Sequence, residues 1–238
     1  SACEALELGS VDMAVVDMAQ LIRMEKNDEN LPYGVVISGV LKRGDSRYVM
    51  IRKRHAKDLI ENAVVATDSY SKTERIKHMY DGISCVVETD IRKCIEKLDA
   101  SECDAVFVLL EDIKAARLHN SFLYRYTIMD YGECVPVHGE GVYAMLTKGK
   151  KEAVRTAREL SHKSTAECFE IEDDIISRVM QNVYVKTCDV YARISSDRLE
   201  IYADVTGNRG RIRVNERGTF VNKNLIITKI VDRISKSM

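Results

Sequence analysis

The sequence predicts an α/β protein with a smaller α+β unit at its C-terminal end, and two observations carry that reading. Between Cys85 and Leu118 a short apolar run, Cys85-Val86-Val87, is followed by Ile91, Ile95 and Leu98 at helical spacing, then by the unbroken apolar run from Ala105 to Leu110. Strand, helix and strand in that order, broken at Asp99-Ala100-Ser101, give a right-handed parallel crossover. From Val183 the hydrophobic period changes to two, and three such runs followed by a helical one form an antiparallel α+β unit. A parallel sheet presents ligand sites at the carboxyl ends of its strands, and here those ends are acidic: Glu88-Thr89-Asp90 and Glu111-Asp112.

The bulk composition excludes several classes. With 238 residues and 45% hydrophobic side chains the chain can bury one large core or a few smaller ones. Lysine and arginine number 36 against 37 acidic residues, so no global field favours nucleic acid or a membrane surface. No apolar run approaches the roughly 18 residues of a membrane span, and no signal-peptide pattern is present, so a soluble, cytoplasmic protein is expected. The seven cysteines form no C-x-x-C pair, and several lie in apolar runs, which reads as buried, reduced thiols. No zinc, phosphate-loop or dinucleotide pattern stands out, so no metal is expected.

In chain order, Ser1 to Gly9 reads as the end of a helix stopped by glycine, which suggests a truncated N-terminus. Val11 to Met18 is a strand, Ala19 to Arg23 a turn or short helix, and Val35 to Leu41 a second strand. Charged Lys42 to Arg47 turns the chain into a strand at Tyr48 to Ile51, and basic Arg52 to Asp58 reads as an interdomain crossover. Ala63 to Ala66 is a strand, and Thr67 to Ser71 supply caps for a helix from Lys72 to Met79. After the central unit come a strand at Tyr124 to Met129, a glycine-bounded turn at Val135 to Val142, a strand to Leu146, and helices at Lys151–Leu160 and Ser164–Val179. Gly207 to Gly210 is a hairpin turn. The boundaries expected are 1–56 with 143–168 for a first α/β domain, 57–142 for a second, and 169–238 for the α+β domain.

Four segments in order resemble one family. Leu31-Pro32-Tyr33-Gly34 with Lys42-Arg43-Gly44-Asp45-Ser46-Arg47 is similar to L-P-x-G…R-x-D-x-R. Lys97-Leu98-Asp99, Cys103-Asp104-Ala105-Val106 and Ile113-Lys114 are similar to K-L-D-x-G-x-Y-D-A-I…L-K. Val135 to Gly141 is similar to L-P-A-x-G-Q-G, and Glu172 to Val179 falls on the helix opening a third domain. The chain thus resembles hydroxymethylbilane synthase, also called porphobilinogen deaminase. The resemblance implies two α/β lobes like those of periplasmic binding proteins, the first incomplete, plus a C-terminal α+β domain with a three-stranded antiparallel sheet. It also implies a dipyrromethane primer held by a cysteine thioether, onto which four porphobilinogens are condensed with loss of ammonia. The growing chain is a polyanion, which needs arginine forks, and a carboxylate to steady the pyrrole N–H as charge develops.

The chain departs from the family where charge is needed. In A-V-H-S-x-K-D it reads Ala14-Val15-Val16-Asp17-Met18-Ala19-Gln20, so the catalytic aspartate becomes Gln20, with Asp17 three residues earlier. In G-T-S-S-L-R-R two arginines become Ser71 and Lys72, and in L-R-G-N an arginine becomes Glu88. The tether cysteine falls on Val183 or Tyr184, with Cys188 four or five positions late. Arg43 and Arg47 keep the family's spacing and are the remaining candidate anion ligands, although a salt-linked turn is the plainer reading of Arg43, Asp45 and Arg47. His138 reads as a surface-turn histidine, and Lys72, Arg75 and Lys77 as a solvated helix face.

These departures imply a fold kept and a reaction lost: a binding or interaction module without dipyrromethane. One alternative is a divergent transferase using Cys188 as tether and Asp17 as acid. Another is a small-anion binder using Lys72, Arg43 and Arg47. An incomplete first lobe implies a sheet edge covered by a second copy, a protein partner or a preceding segment.

Overall fold

The computed structural model describes residues 2–27, 30–56 and 62–238. Part of the expected crossover at Arg52 to Asp58 therefore lies outside the described residues. The chain divides into two compact units, Ser1–Gly44 with Val135–Met238, and Asp45–Cys134.

The first unit opens with α1 (Ala2–Glu7), which ends as expected at Gly9 in the left-handed region, φ +68°. β1 (Met13–Asp17), α2 (Met18–Lys26) and β2 (Val35–Val40) follow. The second unit holds β3 (Tyr48–Lys53), β4 (Val64–Thr67), α3 (Tyr70–Lys77), β5 (Ser84–Val87), α4 (Ile91–Asp99), β6 (Ala105–Leu109), α5 (Leu110–Ala115) and β7 (Tyr124–Ile128). The chain then returns to the first unit through β8 (Tyr143–Lys148), α6 (Lys151–Leu160), α7 (Lys163–Val179), β9 (Val185–Ser195), β10 (Arg198–Gly207), β11 (Gly210–Thr219) and α8 (Lys223–Ser237).

In the second unit the strand order is β5-β4-β6-β3-β7. β4 pairs parallel with both β5 and β6, so the crossover through α4 runs between parallel strands with β4 seated between them. β3 pairs antiparallel with β6 and β7. Sequence order groups Tyr48–Ile51 with the first lobe, but its register with Val106–Leu109 makes it an inner strand of this sheet. The central strands are apolar on both sides because helices cover both faces. Val49, Ile51, Val106 and Val108 pack with Cys94, Leu98 and Ile113, whereas Tyr48, Met50, Ala105 and Phe107 pack with Ile76 on the opposite face.

In the first unit β8 lies between β1 and β2 and is antiparallel to both. α1 and α2 cover one face through Leu6, Met18 and Leu21. α6 crosses β2 at Gly39, where an added Cβ would lie 2.6 Å from the Ala157 carbonyl oxygen, so this approach requires glycine. β1 and β2 are the outer strands of this sheet, with Val15 at 50% and Val36 at 49% exposure. The period-two runs after Val183 form the antiparallel sheet β11-β10-β9, joined at Gly207–Gly210 as expected. Leu199, Ile201, Ala203 and Val205 of β10 pack against Ile171, Ile175 and Val179 of α7 and Ile227, Ile230 and Ile234 of α8. Five cysteines are buried, and all seven are free thiols.

Candidate functional site

The carboxyl ends of the parallel strands in the second unit border an open depression of about 570 Å³ lined by Asp68, Thr89, Asp90 and Asp112. Asp68 follows β4 directly, and its two carboxylate oxygens each lie 2.7 Å from the Lys72 ammonium. Lys72 is 3% exposed and Arg75 is buried with it, so these two cations are not solvated as the charges suggest, whereas Lys77 is exposed. The four-residue spacing brings Asp68 and Lys72 to one side of the first turn, where the aliphatic stem of the lysine packs inward. Ser71 Oγ lies 3.1 Å from Ser69 Oγ. Ser69 begins the helix but forms no side-chain capping bond, contrary to the expected cap.

The next strand end is built the same way. Glu88 stands where the family resemblance calls for arginine, and its carboxylate accepts weakly from the Asp90 amide at 3.5 Å. The Glu88 carbonyl accepts from the Cys94 thiol, which burial pushes up to about 12. Asp90 is the N-cap of α4, accepting the Arg92 amide at 2.9 Å. The mouth of this sheet therefore carries Asp68, Asp90 and Asp112, and the Lys72 charge is already bonded to the first of them.

Arg47, also in the second unit, is chelated by its neighbour. Its Nε and Nη2 donate to the two oxygens of Asp45 at 2.9 and 2.8 Å, and the Lys114 ammonium adds a contact at 3.4 Å. The Arg47 hydrogen bonds outweigh burial and hold the Asp45 carboxyl down at about 2. Here the salt-linked turn expected from the spacing is present.

Arg43 belongs to the first unit and lies in its interior. Nη1 and Nη2 donate to the two oxygens of Glu172 at 2.6 and 2.8 Å, and the guanidinium sits 5.0 Å over the Tyr191 ring. Burial alone would drive the Glu172 carboxyl up, but Arg43 and His138 reverse the sign and lower it. His138 is not a surface-turn residue: it is 7% exposed, stacked on Phe169 at 4.7 Å, with Nε2 2.8 Å from Asp173. Burial pulls its imidazole down, but the hydrogen bonds and charges of Asp173 and Glu172 prevail and lift it to about 9.

Asp17 and Gln20 sit at the junction of β1 and α2. Asp17 is the N-cap of α2, and its carboxylate accepts the Gln20 backbone amide at 2.9 Å, while the Gln20 side chain is exposed. Cys188 is a core residue of the C-terminal sheet, 7% exposed among Val190, Val205 and Ile175. Val183 and Tyr184, on the segment between α7 and β9, are 85% and 56% exposed. That segment thus offers exposed positions without a thiol, and its nearest thiol is buried. Among the described residues no group of three or more His, Cys, Asp or Glu is placed to hold a metal ion.

The structure brings Lys72, Ser71 and Glu88 to neighbouring strand ends of one unit, and Asp17 and Gln20 to one helix start. The counter-ions Glu172, Asp173 and Asp68 were not singled out from the sequence. Only Asp68 had a local signal, its four-residue distance from Lys72.

An α/β protein with acidic strand ends and an antiparallel C-terminal unit is the class these features define. Residues 3–156 match the model of the family described as "Porphobilinogen deaminase, dipyromethane cofactor binding domain", and the chain belongs to the porphobilinogen deaminase family. The match ends before α7. The chain is 22% identical over 218 residues to a porphobilinogen deaminase of Clostridium acetobutylicum, covering 85% of this chain and 74% of the relative. It is 24% identical over 192 residues to that of Chlorobium luteolum, covering 79% of this chain and 60% of the relative. Similar solved structures include the periplasmic VFT2 domain of Bordetella pertussis BvgS, at 16% identity and a TM-score of 0.43, covering 66% of this chain and 64% of that one.

Proposed function

We propose that this family member has kept the deaminase fold but not the condensation of porphobilinogen, and acts as a binding or interaction module. The observation that carries the reading is the neutralisation of each basic side chain left at the candidate substrate positions. Arg43 is bonded to Glu172, Arg47 to Asp45 and Lys72 to Asp68. To clamp a substrate carboxylate, each cation would first have to break an ion pair within its own chain. Glu88 adds an anion where an anionic substrate needs an attractive partner. Gln20 brings no charge, and Asp17 is engaged in capping a helix.

A tethered dipyrromethane does not fit these residues. The thioether needs an accessible thiolate, and Cys188 is packed in a core. The divergent transferase would have to unfold part of that sheet to load its primer. The small-anion reading meets the same three occupied cations.

Calorimetric titration with porphobilinogen tests the proposal. A charge-assisted hydrogen bond contributes about 1.5–3 kcal/mol, so losing two or three costs on the order of two to six decades of affinity. No heat of binding at millimolar ligand is expected. A micromolar dissociation constant, or release of ammonia, would contradict the proposal.

A further inference from the structure

We propose that a cavity in the first unit binds a small hydrophobic cation, an ammonium or guanidinium on an apolar body. The cavity measures about 450 Å³, within the range of small-molecule sites. Its apolar wall comes from Met18, Leu21 and Met24 of α2 and from Phe169 of α7. Methionine adapts its shape to irregular ligands, and Phe169 adds a π surface that favours cations.

The polar end fixes the sign of the ligand. Among the described residues, the charged groups lining the cavity are Glu25 and Asp173, both carboxylates. Asp173 and Phe169 lie one helical turn apart, and a single side chain holds both. The His138 ring stacks on Phe169 with an interplanar angle of 14°, and its Nε2 is 2.8 Å from Asp173 Oδ1. The aromatic wall and the carboxylate are thereby held in place before any ligand arrives, which lowers the entropic cost of binding. His138 is charged at neutral pH and balances Asp173, so the net charge at the cavity rim is the negative one of Glu25, which favours a cation and disfavours an anion of the same shape. The site does not depend on whether condensation chemistry is lost, since none of its lining residues is among the candidate catalytic or tether positions.

The probes are 4-phenylbutylamine and its acid counterpart 4-phenylbutyrate, titrated by NMR at neutral pH. The amine is expected to saturate with a dissociation constant at or below about 1 mM and at least about tenfold tighter than the acid. Glu25→Gln, at an exposed position, should narrow that gap severalfold. Met24→Trp should fill the cavity and abolish binding, with its circular dichroism melt confirming that the variant is folded. Equal affinity for the two probes, no saturation by the amine to about 10 mM, a gap unchanged by Glu25→Gln, or binding unchanged in folded Met24→Trp would overturn the proposal.

Discussion

Arg43 and Glu172, 129 residues apart, form a buried two-pronged ion pair that also closes the outer edge of β9. Glu172 accepts the Ala192 amide at 2.7 Å, and Arg43 donates to the Ala192 carbonyl at 3.2 Å. β9 is an outer strand of its sheet, so both Ala192 groups would otherwise lack a strand partner. The pair satisfies them from α7 and from the segment after β2. An arginine at a candidate anion-binding position is thereby a structural tie within the first unit.

This arrangement predicts asymmetric mutational costs. Removing one partner leaves a buried charge, which costs about 3–5 kcal/mol, whereas replacing both by apolar residues of similar size is often close to neutral. Urea denaturation should show large losses for Arg43→Ala and Glu172→Ala, with only part of the stability regained in Arg43→Met/Glu172→Leu, because the buried Ala192 amide and carbonyl then lack partners. Single-variant losses below about 1 kcal/mol would mean the pair contributes little.

His138 gives stability a pH dependence of defined sign. Its folded value near 9 lies above the ordinary 6.5, so its contribution is complete below pH 6.5 and is lost as pH rises through 9. At about 1.4 kcal/mol per unit, the ceiling is roughly 3 kcal/mol. His138→Phe keeps the stack on Phe169 and removes the titration. Unfolding free energies measured across that pH range should converge on the variant's as pH rises. Parallel profiles would show that His138 does not titrate in this way.

Asp17 is expected to behave as a cap. Asp17→Asn should keep stability close to that of the parent, while Asp17→Ala should lose about 1 kcal/mol in thermal or chemical unfolding. Equal losses in both variants would indicate a need for the charge itself.

Periodicity made most of the architecture legible. The period-two runs after Val183 became β9 to β11, and the apolar runs around Ile91–Leu98 became the parallel unit, because each pattern reflects a face buried within its own element. The ion pairs were less visible. Arg43 and Glu172 lie on different elements and carry no shared period, and a charged residue such as Lys72 reads as solvent-facing until its carboxylate is placed beside it. His138 looked exposed in its glycine-bounded turn because its partners, Phe169 and Asp173, come from a helix some thirty residues later, 35 in the case of Asp173. Sequence order groups the strand at Tyr48–Ile51 with the first lobe, whereas its hydrogen bonds join it to β6 and β7.

The outer strands of the first sheet predict self-association. β1 and β2 carry Val15 and Val36 half exposed, and β1 has no lysine or proline to discourage pairing. Light scattering should show mass rising with concentration, and Val15→Lys should suppress it. A monomer at all concentrations would remove a second copy from the possible partners of this edge.

The central claim, that the fold persists without the condensation chemistry, is tested most directly by the intact mass of the purified protein, read together with its reaction with acidic dimethylaminobenzaldehyde. The account predicts the mass of the bare polypeptide and no colour. Added mass of a dipyrromethane on Cys188, with the colour of a bound pyrrole chain, would contradict it and establish a working primer in this chain.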